Sequence, residues 1–150
     1  MRTNARASLA LLLAVCGLAC SSAKAQEIIA GPFNRNGHAY YLTSETSWAS
    51  AEALAVSMGG HLVTIETAAE NDWLVLTFFP HVTGLAGPWI GLHGGGGASG
   101  TWNWVSGSSA SYRNWDTGQP DNQCGNDTVV HIHGAGGGGS SGWNDIADDI

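Results

Sequence analysis

One long polar segment, residues 106–126, limits the kinds of fold that are open to this chain. It shows no regular hydrophobic periodicity, and loops of this length inside compact domains are uncommon and usually functional. The segment contains the tripeptide Gln119-Pro120-Asp121, and further carboxylates follow at Asp127 and Asp145. A fold for this chain must therefore hold a long, oxygen-rich loop on a rigid framework.

The first 25 residues are predicted to be a signal peptide and not part of the domain. Arg2 and Arg6 precede an apolar run, and residues 23–25 fit a small-x-small cleavage site. The run is shorter than the about 20 residues that span a membrane. We therefore expect a secreted or periplasmic protein without a membrane span. Lipid attachment at Cys20 is less favoured, because Gly17 stands where an aliphatic residue is wanted.

The chain beyond residue 25 is strongly acidic. It keeps all 12 acidic residues but only two basic ones, Arg35 and Arg113, so its net charge is 2 − 12 = −10. Such a chain is repelled by phosphate backbones, which argues against nucleic acid as a partner. Of the 3 cysteines only Cys124 lies in this part, so no internal disulfide is expected.

Two helices are predicted from their end signals. Ser47 is a candidate N-cap for a helix over residues 48–58, and Gly59-Gly60 ends it. Thr67 and Glu70 form a capping-box pattern that opens a second helix, which ends before Pro80. Short strands are predicted over residues 37–42, 62–65, 89–92, 101–105 and 128–133.

The spacing of apolar residues predicts which helix faces are buried. The first helix is expected to bury Trp48, Ala51, Ala55 and Met58, and the second to bury Ala69, Trp73 and Leu76. The tryptophans expected in the core are Trp48, Trp89, Trp104, Trp115 and Trp143.

Six short motifs, taken in order, resemble the C-type lectin-like domain family. They are Trp48-x-x-Ala51-Glu52, the Gly59–Ile65 segment, Trp89-Ile90-Gly91-Leu92, Asn114-Trp115, Gln119-Pro120-Asp121 and Trp143-Asn144-Asp145. The resemblance implies an α+β fold of two helices, small antiparallel sheets and a long ligand-binding loop. It assigns residues 26–38 to a lead-in and residues 39–150 to the domain, without the last strand of the family. The lack of the family's cysteines resembles bacterial secreted members.

The resemblance also implies a site for a single Ca²⁺ ion. In sugar-binding members a Glu-Pro-Asn or Gln-Pro-Asp triplet supplies two ligands, and Gln119 and Asp121 occupy those positions. Asp127, Asn144 and Asp145 match the remaining three, and oxygen donors of these types suit a hard cation. Sugar hydroxyls are expected to contact Gln119, Asp121, Asp127 and Asn144. Pro120 is a candidate for a cis peptide bond.

These observations predict a non-catalytic, calcium-dependent carbohydrate-binding module. Gln-Pro-Asp goes with galactose-type ligands in the family, although Gln123 stands where galactose-binding members often have tryptophan. The alternative is a lectin-like domain that binds a protein or surface ligand without sugar, since a fold does not fix a function. We expect no enzymatic activity, because no paired general acid and base is apparent.

Several polar residues have simpler interpretations. Asp116, Asp148 and Asp149 are expected to be solvated turn residues. His131 and His133 share a strand face and have the chemistry for zinc, but no third ligand is signalled nearby, so a structural or exposed pair is favoured.

Overall fold

The computed structural model describes residues 26–82, 87–123, 125–134 and 141–148. The predicted signal peptide, Cys124 and Asp149 lie outside the described residues. The fold is α+β, as predicted, with these elements in order: β1 (Ile28–Arg35), β2 (His38–Thr43), α1 (Trp48–Ser57), α2 (Ala68–Phe78), β3 (Trp89–His93), β4 (Asn103–Trp104), β5 (Val129–Ile132) and β6 (Trp143–Ile146). None of the helices in this part of the chain has the length and apolar character needed to cross a membrane.

The strands form two antiparallel sheets. β1 and β2 make a two-stranded hairpin, while the second sheet has the order β4-β3-β5-β6. β2 confirms the strand predicted over residues 37–42, but β1 lies in the predicted lead-in and was missed. Gly31-Pro32 interrupts the β1 sequence, and the β1–β2 register shifts between Ala30 and Phe33. The sequence therefore lacks the regular alternation of apolar and polar residues that predicts a strand.

The caps of both helices are confirmed. The Ser47 hydroxyl accepts a hydrogen bond from the Ser50 N–H at 3.2 Å, and the Thr67 hydroxyl accepts one from the Glu70 N–H at 3.2 Å. The Glu70 carboxylate in turn accepts from the N–H of Glu66 at 3.0 Å, one residue earlier than a capping box predicts. α1 ends at Ser57, followed by Gly59 with φ +84°.

The predicted helix faces are partly wrong. α1 buries Ala51, but Met58 is 44% exposed. The buried residues of α2 are Asn71, Leu74 and Phe78, whereas Leu76 is 77% exposed. Trp73 is partly buried at the edge of the core, with its ring 5.0 Å from that of Tyr40 on the hairpin and 6.1 Å from that of the core residue Phe78.

Two predicted strands differ from the structure. Residues 62–65 form an irregular segment and not a strand, although Ile65 is fully buried there and the Gly91 N–H donates to the Val63 carbonyl at 2.8 Å. The segment approaches β3 so closely that a Cβ at Gly91 would lie 2.6 Å from the Leu62 carbonyl oxygen. The strand predicted over residues 101–105 shortens to β4, Asn103–Trp104.

Trp143 lies at the centre of the core and is fully buried. Its ring packs edge-on against the rings of Trp104, Tyr112 and Trp115, at centroid distances of 5.7, 5.6 and 6.0 Å. Its indole N–H donates to the Asn71 side-chain oxygen at 2.8 Å, which joins β6 to α2. Trp104 and Trp143 thus confirm the predicted core, while Trp48, Trp89 and Trp115 are only partly buried.

Asp148 is not a solvated turn residue, contrary to the prediction. Its carboxylate accepts hydrogen bonds from the backbone N–H groups of Trp48 at 2.6 Å and Ala49 at 3.1 Å. A carboxylate at a helix N-terminus satisfies free N–H groups and complements the helix dipole. The segment that follows β6 is therefore tied to the start of α1.

Replacing Asp148 tests this second cap of α1. We expect Asp148→Ala to lower the free energy of unfolding by about 1 kcal/mol, the usual cost of a lost N-cap. Urea unfolding in the presence of a chelator measures this free energy without a contribution from metal binding. Asp72→Ala is the matched control, because Asp72 is an exposed carboxylate on α2 and its removal changes the net charge equally. Equal stability of the two variants would contradict the capping role.

Candidate metal and ligand-binding site

The site forms where the long loop meets β6. The Asp145 carboxylate accepts hydrogen bonds from the N–H of Asp121 at 2.9 Å and from the N–H of Asn122 at 3.0 Å. Two segments that are 24 residues apart in sequence are thus joined by one side chain. The position of the loop is set by β6, which is itself held in the core by Trp143.

Three carboxylates are gathered at this junction. Ligand oxygens of Asp121, Asp127 and Asp145 all lie within 4.8 Å of one another. Oxygens that bind Ca²⁺ at about 2.3–2.6 Å cannot be more than about 5 Å apart, so the spacing fits one such ion. Asp127 and Asp145 are only 4% and 3% exposed, whereas Asp121 is exposed. The site therefore has a buried floor and an accessible rim.

No basic side chain neutralises these carboxylates through a contact that the structure shows. Arg35 and Arg113 are the only lysine or arginine residues after residue 25. The Arg35 guanidinium donates to the Ala69 carbonyl, and that of Arg113 donates to carbonyls of its own loop and of Trp102. Carboxylates crowded together repel one another. The donor set therefore favours a cation taken from solution.

The Gln119-Pro120 peptide bond is cis, as expected from the sequence. The Gln119 side-chain oxygen accepts from the Asp121 N–H at 3.1 Å, and an Asp121 carboxylate oxygen accepts from the Gln123 N–H at 3.1 Å. These local bonds fold the triplet back on itself, with Pro120 buried between two more accessible side chains.

The glycine-rich segment before β4 packs closely against the long loop. This contact was not predicted from the sequence. Gly97 has φ +62°, and a Cβ there would lie 3.3 Å from Asn122 Cβ and 3.4 Å from the Pro120 carbonyl oxygen. The Trp102 indole N–H donates to the Gly97 carbonyl at 3.2 Å. The run of glycines at residues 94–97 was the available signal, because backbone this close to another segment leaves little room for side chains.

Asn122 also has a structural role that the sequence did not reveal. It adopts a left-handed conformation, with φ +50°, and its side-chain oxygen accepts from the Asp127 N–H at 3.2 Å. Asparagine tolerates this conformation better than most residues because its short side chain bonds locally. The bond closes the loop between Asp121 and Asp127 and brings their carboxylates together.

Asn144 faces a different neighbour from the three carboxylates. It pairs with His131 across β5 and β6, and its Nδ2 lies 3.1 Å from His131 Nε2. Burial lowers the pKa of His131 to about 4, and nearby His133 adds to this effect. The imidazole is therefore neutral near pH 7. Its Nδ1 accepts from the Gly87 N–H at 3.3 Å.

His133 is exposed and pairs with Asp116, so Asp116 is not the free turn residue that was predicted. His133 Nδ1 lies 3.0 Å from an Asp116 carboxylate oxygen, and the other oxygen accepts from the Thr117 N–H at 2.9 Å. Within the described ranges, the three aspartates are the only group of metal-ligating side chains of this kind. His131 is buried and His133 is exposed, and the contacts shown for them are with Gly87, Asn144 and Asp116, as the interpretation of a structural or exposed pair expects.

Comparison with known proteins identifies the family. The model described as "Lectin C-type domain" matches residues 44–149. The chain therefore belongs to the C-type lectin domain family, as the motifs indicated. The family is non-enzymatic, in agreement with the expectation that this domain is not an enzyme.

Individual relatives support the assignment. The chain is 37% identical to lithostathine of Rattus norvegicus over 55% of its own length and 50% of that protein. It is 36% identical to an alpha-N-acetylgalactosamine-specific lectin of Patiria pectinifera, over 77% of this chain and 69% of that one. The carbohydrate-recognition domain of the mouse scavenger receptor C-type lectin superposes with a TM-score of 0.63 at 29% identity, covering 79% and 87% of the two chains. The chain thus spans about half the length of some curated relatives.

Because the Asp145 carboxylate accepts two backbone hydrogen bonds from the loop, we expect it to stabilise the loop even when no metal is bound. With a chelator present, we expect Asp145→Ala to lower the free energy of unfolding by about 3 kcal/mol, because two backbone donors lose a charged acceptor. Asp121→Ala is the matched control, since Asp121 is exposed and, among the described residues, its carboxylate accepts only from the Gln123 N–H. Urea unfolding of both variants measures the difference. Similar losses would show that Asp145 has no special structural role.

Proposed function

We propose that this chain is a secreted, calcium-dependent carbohydrate-binding module. The observation that carries the proposal is the convergence of Asp121, Asp127 and Asp145 within 4.8 Å, beside the Gln119-Pro120 cis bond. Gln119 and Asn144 are proposed to complete the ligand set. Membership of the C-type lectin domain family supports binding of a sugar at such a site.

The five proposed ligands differ in their roles. Asp127 and Asp145 supply buried negative charge, and Asp145 also fixes the loop through the N–H groups of Asp121 and Asn122. Bound Ca²⁺ would offer coordination positions to two neighbouring hydroxyls of a sugar. Carboxylates of Asp121 and Asp127 accept hydrogen bonds from sugar hydroxyls, while the carboxamides of Gln119 and Asn144 offer both donors and acceptors.

The preferred sugar is proposed to be of the galactose type. The order of carboxamide and carboxylate across Gln119 and Asp121 supports it, because that order decides which hydroxyls find donors and which find acceptors. The similarity to a lectin named for its specificity toward alpha-N-acetylgalactosamine also supports it. Gln123, an exposed loop residue, stands in place of the tryptophan that often packs on galactose.

Export is proposed from residues 1–25, which carry the pattern of a signal peptide. The strongly acidic chain that follows suits a compartment rich in calcium. The same location would bring the domain to glycans outside the cytoplasm.

Calcium binding should appear as a gain in stability. At a free Ca²⁺ concentration ten times the Kd, we expect the free energy of unfolding to rise by about 1.4 kcal/mol, because the ion binds only the folded state. Asp121→Asn should lose most of this gain while unfolding like the wild type in chelator, because asparagine keeps the acceptor for the Gln123 N–H. Asp72→Asn, on exposed α2 surface, is the control and should keep the full gain.

Thermal melts with calcium and with chelator provide the measurement, and calorimetric titration gives the number of ions. Identical melts of the wild type in the two conditions would refute calcium binding. A full gain in Asp121→Asn would remove Asp121 from the ligand set.

Sugar binding is tested on a glycan array. We expect galactose and N-acetylgalactosamine glycans to be bound in calcium and released by chelator, with weaker binding to mannose glycans. Binding that survives in chelator would contradict the proposed coordination. A domain that binds calcium but no glycan would favour the alternative, a lectin-like module for a protein or surface ligand.

A further inference from the structure

The glycine segment, residues 94–97, touches both parts of the chain that carry carboxylates of the proposed calcium site, and the inference rests on the proposed function. One part is residues 119–122, which we call the Asp121 arm, and the other is residues 126–128, which we call the Asp127 arm. Oxygens that share one Ca²⁺ ion must each lie about 2.3–2.6 Å from it. The separation of the two arms therefore decides whether both carboxylates reach the same ion.

The glycine segment meets the Asp121 arm at Gly97. A Cβ built on Gly97 would lie 3.3 Å from Asn122 Cβ and 3.4 Å from the Pro120 carbonyl oxygen. Both distances are shorter than the about 3.5–4.0 Å at which non-bonded carbon atoms attract each other best. The arm therefore lies directly on the backbone of Gly97, and a methyl group there would push it away.

The same segment meets the Asp127 arm at Gly95. A Cβ built on Gly95 would lie 3.3 Å from the Asp127 carbonyl oxygen and 3.4 Å from Thr128 Cγ2. The Gly94 N–H donates to the Thr128 carbonyl at 2.9 Å, which fixes this end of the segment to the residue before β5. A methyl group at Gly95 would thus press on the backbone that carries the Asp127 carboxylate.

Trp102 holds the other end of the glycine segment. Its indole N–H donates to the Gly97 carbonyl at 3.2 Å, and its ring packs on that of Trp115 with the centroids 5.1 Å apart. The Trp102 carbonyl in turn accepts from the Arg113 guanidinium at 3.0 Å. The segment is therefore fixed at both ends and contacts one arm near each end.

We propose that the glycine segment is a positioning element that sets the separation of the Asp121 arm and the Asp127 arm, and with it the affinity of the site for calcium. The bond from the Asp127 N–H to Asn122 Oδ1 draws the arms together, and the bare glycine backbone sets how closely they approach. Trp102 keeps that backbone in place. The segment acts on the ion only through the carboxylates that it positions, as supporting residues of metal sites generally do.

Calcium affinities measured by calorimetry on the full chain test the proposal. We expect Gly95→Ala and Gly97→Ala each to weaken calcium binding by about 10-fold, because an extra methyl group in a tight contact displaces its neighbour. Gly59→Ala is the matched control. Gly59 also has a positive φ, +84°, but among the described residues no atom lies within 4 Å of a Cβ built there.

Gly59→Ala carries the strain of a side chain at positive φ without displacing either arm. Its calcium Kd should stay within about twofold of the wild type, as expected for a site without shared contacts. A loss of affinity in Gly59→Ala as large as in Gly97→Ala would overturn the proposal, because strain alone would then explain the effect.

A double-mutant cycle separates displacement of the arm from strain within residue 97. Asn122→Gly removes the Cβ on which Gly97→Ala would press, and glycine accepts the φ of +50° at that position. In the Asn122→Gly background, Gly97→Ala should weaken calcium binding by less than about threefold, whereas strain at residue 97 would cost the same in both backgrounds. An equal loss in the two backgrounds would overturn the proposal.

Trp102→Phe provides a second test, which decides the matter even if Gly97→Ala does not fold or Asn122→Gly binds no calcium. It keeps an aromatic ring beside Trp115 but removes the N–H that holds the Gly97 carbonyl. We expect calcium binding to weaken about fivefold, the worth of one hydrogen bond. Tyr40→Phe is the control, because it also keeps a ring and loses one hydrogen bond, to Glu70 of α2.

Tyr40→Phe should bind calcium within about twofold of the wild type, while urea unfolding in chelator shows its lost stability. Equal calcium affinities of Trp102→Phe and Tyr40→Phe would overturn the inference alone. A wild-type chain that binds no calcium would overturn the proposed function and this inference together.

Discussion

The junction between the long loop and β6 depends on the carboxylate of Asp145. Its side chain accepts hydrogen bonds from two successive backbone N–H groups, those of Asp121 and Asn122, and the residue is only 3% exposed to water. Hydrogen bonds to a charged acceptor are stronger than neutral ones, and burial strengthens them further. The described residues of the loop form no helix and only one isolated bridge, at Trp115, so these bonds help to fix a backbone that has no regular ladder.

The strand that carries Asp145 is held from three directions. β5 pairs along one edge of β6, and the loop closes on its start, where the Trp143 N–H donates to the Asn114 carbonyl and the Asp116 N–H donates to the Trp143 carbonyl. The Trp143 side chain is anchored in the core and bonded to Asn71 of α2. A site built this way inherits the rigidity of the core without a disulfide, which explains how a domain with a lone cysteine can present an ordered loop.

The sequence predicted the elements whose signals are local. Ser47 and Thr67 begin helices because a hydroxyl at that position bonds the N–H three residues later, and no tertiary contact is needed for that. The candidate site was found through motif order, and the structure brings Asp121, Asp127 and Asp145 together. The sequence did not reveal β1, the buried face of α2, or the roles of Gly97 and Asp148. Each of these depends on a partner that is distant in sequence. β1 depends on β2, the buried face of α2 on Trp143, Gly97 on the loop at Asn122, and Asp148 on the first turn of α1.

Burial divides the proposed site into two parts with different tolerance for change. Asp145 and Asp127 are buried, and Asp145 serves the fold through its backbone bonds, so changes there affect stability and binding together. The side chains of Asp121 and Gln119 lie on the accessible rim, and the hydrogen bonds shown for them come from nearby backbone N–H groups. In the proposed function, substitutions at the rim should therefore alter the choice of ligand while the floor keeps the loop in place. A domain organised in this way separates the choice of ligand from the maintenance of its own structure.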